Sequence, residues 1–144
     1  MTDIQQSLLT AIYNRLTTDT TLKSKMGGSV RLYLTWALAE AAFPYLVHRL
    51  DMSRIADFSP KYRCTYLVDI WSYSLNANET FAIREQVMNL LDNYKGVTSD
   101  GVDFWVWRQT DGLVPETEEN IWHYNCQFNL RYVDEDEVGV LLKR

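Results

Sequence analysis

Cysteine is scarce: the 144 residues contain only Cys64 and Cys126. Two thiols build no disulfide framework and say little about redox compartment. Long hydrophobic runs are missing too. No apolar stretch exceeds a few residues, so no segment is expected to cross a bilayer as a helix. Met1-Thr2-Asp3-Ile4 has neither the basic start nor the apolar core of a secretory signal, and leads straight into a helical pattern. Positive charge is not in surplus: 14 Lys+Arg stand against 19 Asp+Glu, a net charge of −5. Nothing resembles the basic stripe of a dedicated DNA binder. Gly27-Gly28 is an isolated pair without the Lys-Ser/Thr that a phosphate loop requires. There is no internal repeat and no low-complexity segment.

What is present can build a core. With 47% hydrophobic and 23% charged residues, the chain fits one compact domain over 1–144, ending in a short acidic tail from about residue 134. Five Trp, nine Tyr and five Phe are a heavy aromatic load for this size, and aromatics favour sheets and interfaces. Charge is unevenly placed. Residues 100–137 carry ten acids against Arg108 and Arg131, a balance of −8, while the rest of the chain carries +3. A chain with one acidic and one mildly basic region suits head-to-tail association or attraction to a basic partner, as well as plain solubility.

Ile4, Leu8, Ala11, Ile12 and Leu16 recur at helical spacing, with Thr2 or Asp3 able to cap the start. A short second turn follows Asp19 and stops at Gly27-Gly28. Residues 30–34 read as a strand, 35–42 as either loop or helical turn, and 43–52 as a second strand with Pro44 near its first residues. The third strand, 62–74, is apolar on both faces through Leu67-Val68-Asp69-Ile70-Trp71, which predicts a central strand covered on both sides with Trp71 in the core. Asn78 is expected to cap a helix to about Tyr94, with Phe81, Val87, Met88, Leu91 and Tyr94 on one side. A turn-rich link, 96–101, precedes two closing strands, 104–109 and 122–133. The last strand alternates strictly: Trp122, Tyr124, Cys126, Phe128, Leu130 and Tyr132 against His123, Asn125, Gln127, Asn129 and Arg131. The order α-β-β-β-α-β-β predicts an α+β domain, a mainly antiparallel sheet packed against two principal helices.

No catalytic constellation survives inspection, and no cofactor is expected. A metal site would need His48, His123, Cys64 and Cys126 to converge, yet His123 and Cys126, three apart in one strand, project to opposite faces. The two cysteines are expected to be small core residues. Ser72, His48 and Asp69 form a triad only on paper, since no elbow or glycine signature accompanies them; Asp69 reads better as a paired or interface residue. Asp134, Glu135, Asp136 and Glu137 lack the alternating ligands and glycine of a calcium loop and read as a solvated tail or a contact to a basic neighbour. Trp105 and Trp107 point the same way along their strand, as core or as a protein–protein patch.

The order of short motifs resembles a known family. An amphipathic first helix is followed by Gly27-Gly28-Ser29-Val30-Arg31-Leu32-Tyr33, then Phe43-Pro44-Tyr45-Leu46-Val47, then Leu67-Val68-Asp69-Ile70-Trp71-Ser72, a helix and two closing strands. This is similar to the tail-terminator or tail-completion proteins of long-tailed bacteriophages and gene transfer agents, over roughly residues 8–133. The family often has a proline in the loop after the first strand; residues 35–42 have none. The resemblance implies a non-enzymatic virion protein, assembled in the host cytoplasm and located at the head-proximal end of the tail. There it forms a ring, typically hexameric, that caps the tail tube, halts its polymerisation and offers a docking surface to the head connector, while DNA passes through without specific binding. The ring's inner wall is then expected to be neutral to acidic, without Arg15, Arg31, Arg49 and Arg54 gathered on it. Candidate interface residues are Trp105 and Trp107, with Glu116, Glu118, Glu119, Asp134, Glu135, Asp136 and Glu137 on the face that differs from the tube. The alternative functions are a head–tail connector or stopper that touches DNA, and a small-ligand-binding α+β domain.

Overall fold

Asp3 opens the first helix, α1 (Ile4–Thr17), by accepting a hydrogen bond from the Gln6 N–H at 3.2 Å. Asp19 does the same for α2 (Thr20–Lys25) through the Leu22 N–H at 2.8 Å. Gly27 and Gly28, at φ +86° and +117°, then take the left-handed conformations that end the segment. The computed structural model describes residues 3–54 and 61–133. The remaining elements are β1 (Leu32–Leu34), β2 (Tyr45–Arg54), β3 (Lys61–Tyr73), α3 (Asn78–Leu91), β4 (Tyr94–Val97), β5 (Asp103–Val114) and β6 (Ile121–Val133).

The strands form one six-stranded sheet in the order β1-β2-β3-β6-β5-β4. Among the described residues only β1 and β2 pair in parallel, and the other pairings are antiparallel. Leu8, Ile12 and Leu16 of α1, Leu22 of α2, and Ile83, Val87 and Leu91 of α3 join Leu46, Tyr66, Val68, Ile70, Phe128 and Leu130 of the sheet in one core. The alternation in β6 is realised as expected: Tyr124, Cys126, Phe128, Leu130 and Tyr132 are buried under the helices. The architecture is α+β, with the helices on one face of the sheet and no helix on the other among the described residues.

Several expectations need correction. β3 is central, but it is covered on one face only. Its Val68 and Ile70 enter the core, whereas Asp69 and Trp71 lie half-buried on the open face. Asn78 is not the cap of α3: Ala77 holds the cap position without a side-chain cap bond, and the Asn78 N–H instead donates to Oδ1 of Asn76 at 3.0 Å. Phe81 is exposed; the buried stripe of α3 is Thr80, Ile83, Val87, Met88 and Leu91. The helix ends at Leu91, short of the expected Tyr94, because Asn93 turns the chain at φ +57° into a strand, β4, which takes Tyr94 and the start of the expected link. Gly96 in β4 is what lets it pair with β5. A Cβ there would stand 2.5 Å from Cζ of Phe104, the residue it pairs with.

Candidate functional site

Three consecutive strands place Tyr45, Trp71 and His123 side by side on the open face, since Tyr45 pairs with Trp71 and Trp71 with His123. The three rings form a ladder. Trp71 stacks on the His123 imidazole at 3.9 Å between centroids and 14° between planes, and on Tyr45 at 6.3 Å and 19°. Phe43 and Tyr73 extend the patch: the Phe43 ring lies 5.2 Å from Tyr45 and 6.0 Å from Tyr73 between centroids. Trp71 thus belongs to this surface and not to the core, because the odd positions of β3 face away from the helices.

His123 is held at both ring nitrogens. Nε2 lies 2.8 Å from Oδ1 of Asp69, and Nδ1 lies 2.9 Å from Oε1 of Glu116, in the connection between β5 and β6. Carboxylate oxygens only accept, so satisfying both contacts requires a proton on each nitrogen, the imidazolium form. Burial opposes charge on His123, but the hydrogen bonds and charges of Asp69 and Glu116 raise its pKa above the ordinary value. Burial likewise opposes charge on Asp69, and the hydrogen bonds from His123 and Asn125, with the charges of His123 and Arg49, bring its carboxyl below the usual range. The expectation that Asp69 is a paired residue is met. This cluster pins residues 115–120 to the sheet end.

The structure separates the paper triad. His48 and Ser72 lie on the helix side, where His48 Nδ1 is 2.8 Å from the Tyr66 hydroxyl and Ser72 Oγ donates to Glu79 at 2.6 Å. Asp69 is on the other face. Cys64 and Cys126 are buried, as expected for core residues, and burial pushes the Cys126 thiol up to about 12. His123 and Cys126 do lie on opposite faces of β6. Among the described residues, no group of three or more His, Cys, Asp or Glu is placed to hold a metal ion, and no helix is long and apolar enough to cross a membrane.

The other candidates fall in different places. Trp105 and Trp107 are on the open face of β5 near the opposite end of the sheet, with ring centroids 4.8 Å apart. Lys95 lies over Trp105 at 5.7 Å and Arg131 over Trp107 at 5.4 Å. Glu116, Glu118 and Glu119 are brought together around a cavity of about 570 Å³ whose apolar wall includes Leu75, Leu113, Val114, Pro115, Ile121 and Trp122. Asp134, Glu135, Asp136 and Glu137 lie outside the described residues. Of the arginines named above, the side chain of Arg54 lies outside the described residues. Arg15 donates to the Leu90 carbonyl, Arg31 to the carbonyls of Met26, Ala42 and Pro44, and Arg49 is exposed in β2.

Sequence reasoning missed the Asp69–His123–Glu116 cluster. In the sequence His123 suggests only a metal ligand, and no local spacing links it to Asp69, 54 positions away. The register of β3 on β6 makes the pair.

By sequence, the chain matches no family profile and no curated protein. By structure, it is similar to a chain of the virion of a native gene transfer agent particle, at TM-score 0.78 and 14% identity, covering 93% of this chain and 100% of that one. A second solved structure, which carries no descriptive name, aligns at TM-score 0.68 and 13% identity, covering 90% of this chain and 96% of its own. At these identities the likeness is one of fold.

Proposed function

We propose that this chain is a structural, non-enzymatic virion protein that acts as a tail terminator. In this reading it forms a ring, hexameric in the simplest case, on the last ring of the tail tube at the head-proximal end. One ring face matches the tube, and the other presents the head connector with a chemically different surface. The observation that carries this is the end-to-end likeness to a gene transfer agent virion chain, which leaves no part of that chain unmatched. The order of short motifs from α1 to β6 points the same way. An aromatic sheet face that no helix covers among the described residues, and a cluster of glutamates at the β5–β6 connection, fit a protein that works through surfaces.

The test is particle assembly without this chain. Electron microscopy of such a preparation is expected to show tubes of uncontrolled length and unattached heads, with normal tails restored when the protein is supplied. Tails of normal length joined to heads in its absence refute the terminator role. Tight, strongly salt-dependent binding of the purified protein to duplex DNA replaces it with the connector reading.

A further inference from the structure

The connection between β5 and β6, residues 115–120, is tied to the rest of the molecule in two ways. At its far end the ties carry no titratable group. The Ser74 N–H donates to the Asn120 carbonyl at 2.9 Å, and Nε1 of Trp122 donates to the Ser74 carbonyl at 3.0 Å. Nearer its start the tie is ionic. Oε1 of Glu116 accepts from Nδ1 of His123 at 2.9 Å, and Glu116 bonds to no other side chain among the described residues. A loop whose glutamates line a cavity is thus fastened at one end by a bond that depends on a proton.

Taking one proton from the imidazolium leaves a single N–H for two carboxylates. One nitrogen must then turn a lone pair towards an anion. Exposure does not choose between them, since the side chains of Asp69 and Glu116 are 28% and 27% open. Their surroundings do. Asp69 sits in β3, paired with Val47 of β2 on one side and Asn125 of β6 on the other, so its backbone has no freedom to withdraw. Its Oδ1 also accepts from Nδ2 of Asn125 at 2.8 Å, and the charge of Arg49, on β2, favours its ionised form. Glu116 has neither support. It follows Pro115 in a stretch without helix or strand, and Glu118 and Glu119 stand with it around the cavity. Of the remaining neighbours, Trp71 is uncharged, and Tyr45 keeps its proton because burial and the Glu116 charge raise its pKa above the ordinary 10.0. The last imidazole proton therefore stays on Nε2 with Asp69, and the lone pair on Nδ1 repels Glu116.

We propose that His123 is a proton-operated latch: loss of its Nδ1 proton to solvent releases Glu116 and frees residues 115–119 from the sheet, while Asp69 keeps its bond and the ties at Asn120 and Trp122 hold. In the latched form the connection is a fixed wall of the cavity, with its glutamates set at the sheet end; in the released form that wall is loose. The support that both carboxylates give the imidazolium puts the change above pH 6.5. The device is complete within one copy, so it stands or falls apart from the terminator reading.

The test exposes the full chain to a glutamate-specific endoprotease between pH 6 and pH 9 and follows cleavage in the connection by mass spectrometry. Glu116→Gln is the reference. Its amide oxygen accepts from Nδ1–H at low pH, and its amide nitrogen, turned over, donates to the bare Nδ1 at high pH, so this connection stays fastened throughout. The variant keeps Glu118 and Glu119 as cutting sites, and the ratio of wild-type to variant rates there cancels the protease's own pH dependence. That ratio is expected to sit near unity at low pH and to climb about tenfold as His123 titrates, because cleavage reads the population of the open form. His123→Ala has no latch and should be cut fast at both ends of the range, with circular dichroism showing the fold retained. Nitrogen-15 NMR of the imidazole should find Nε2 protonated and Nδ1 bare above the transition; His48, the other histidine, titrates at about 4 and does not overlap. A flat ratio, a proton retained on Nδ1, slow cutting of His123→Ala, or cleavage that spreads into β3 and β6 overturns the latch.

Discussion

Trp71 lies flat on His123, 3.9 Å between ring centroids, while Asp69 and Glu116 hold the two imidazole nitrogens. A positively charged imidazole is thereby stacked on the most electron-rich aromatic face available and bonded to two anions. The residues come from β3, β6 and the β5–β6 connection, so the cluster fastens the connection to the sheet.

The first prediction concerns its pH dependence. The folded pKa of His123 lies above its unfolded value of 6.5, so its contribution is complete below pH 6.5 and is lost as pH rises through the folded value. Asp69, with a folded pKa below 3.8, contributes above pH 3.8 and loses that contribution as pH falls through its lowered value. Melting curves of wild type and His123→Gln should therefore converge as the pH is raised from 6 towards 9. A difference in Tm that stays constant across that range contradicts the imidazolium assignment.

His48 has the opposite sign. Burial lowers its pKa from 6.5 to about 4, so the folded state resists a proton that the unfolded chain accepts. Its cost begins as pH falls below 6.5 and grows until about 4, reaching about 3 kcal/mol. Denaturant titrations of His48→Gln should show a flatter loss of stability between pH 6.5 and 4 than wild type.

Asp111 gathers three partners. Arg84 reaches Oδ2 at 2.8 Å, Arg108 reaches Oδ1 at 2.6 Å, and the Tyr124 hydroxyl also donates to Oδ2. Its side chain is almost wholly enclosed, although both arginines keep some contact with water. Asp111→Ala should cost about 2 kcal/mol by chemical denaturation, chiefly through the Tyr124 hydroxyl left without its acceptor.

The two faces of the sheet should respond differently to truncation. Phe128, fully buried beneath the helices, is expected to lose about 3–5 kcal/mol as Phe128→Ala. Trp71→Ala removes a larger side chain from a half-open surface and should cost less than Phe128→Ala in the same denaturation assay. The reverse order would return Trp71 to the core.

Gly96→Ala tests the close approach of β4 to β5. The added methyl meets the Phe104 ring at 2.5 Å and the Tyr94 hydroxyl at 2.8 Å, so the strand or the rings must move. A loss of about 1–3 kcal/mol in denaturation is expected. Hydrogen exchange should rise first in β4.

Local order was legible without any coordinates. The stripe Leu8–Ile12–Leu16 and the caps Asp3 and Asp19 define α1 and α2 through contacts within a few residues. The strict alternation of β6 sorts its side chains between two faces whatever lies on either side. Which faces would be covered was not legible. The apolar run around Trp71 satisfies a doubly covered strand and a strand with one aromatic outer face equally well, and the placement of three helices decides between them. β4 has too short a pattern to announce itself, and its residues become a strand because β5 offers them hydrogen bonds.

The candidate surface divides in the same way. The local sequence determined that Trp105 and Trp107 share a face and that His123 and Cys126 do not, because side chains alternate along an extended backbone. Only the tertiary structure decided that His123 meets Asp69 and Glu116, and that the cavity forms beside Glu118 and Glu119. Those relationships depend on strand order and register. Both are fixed by burying one face of every strand under the same helices, a condition on the whole chain that no short stretch of it contains.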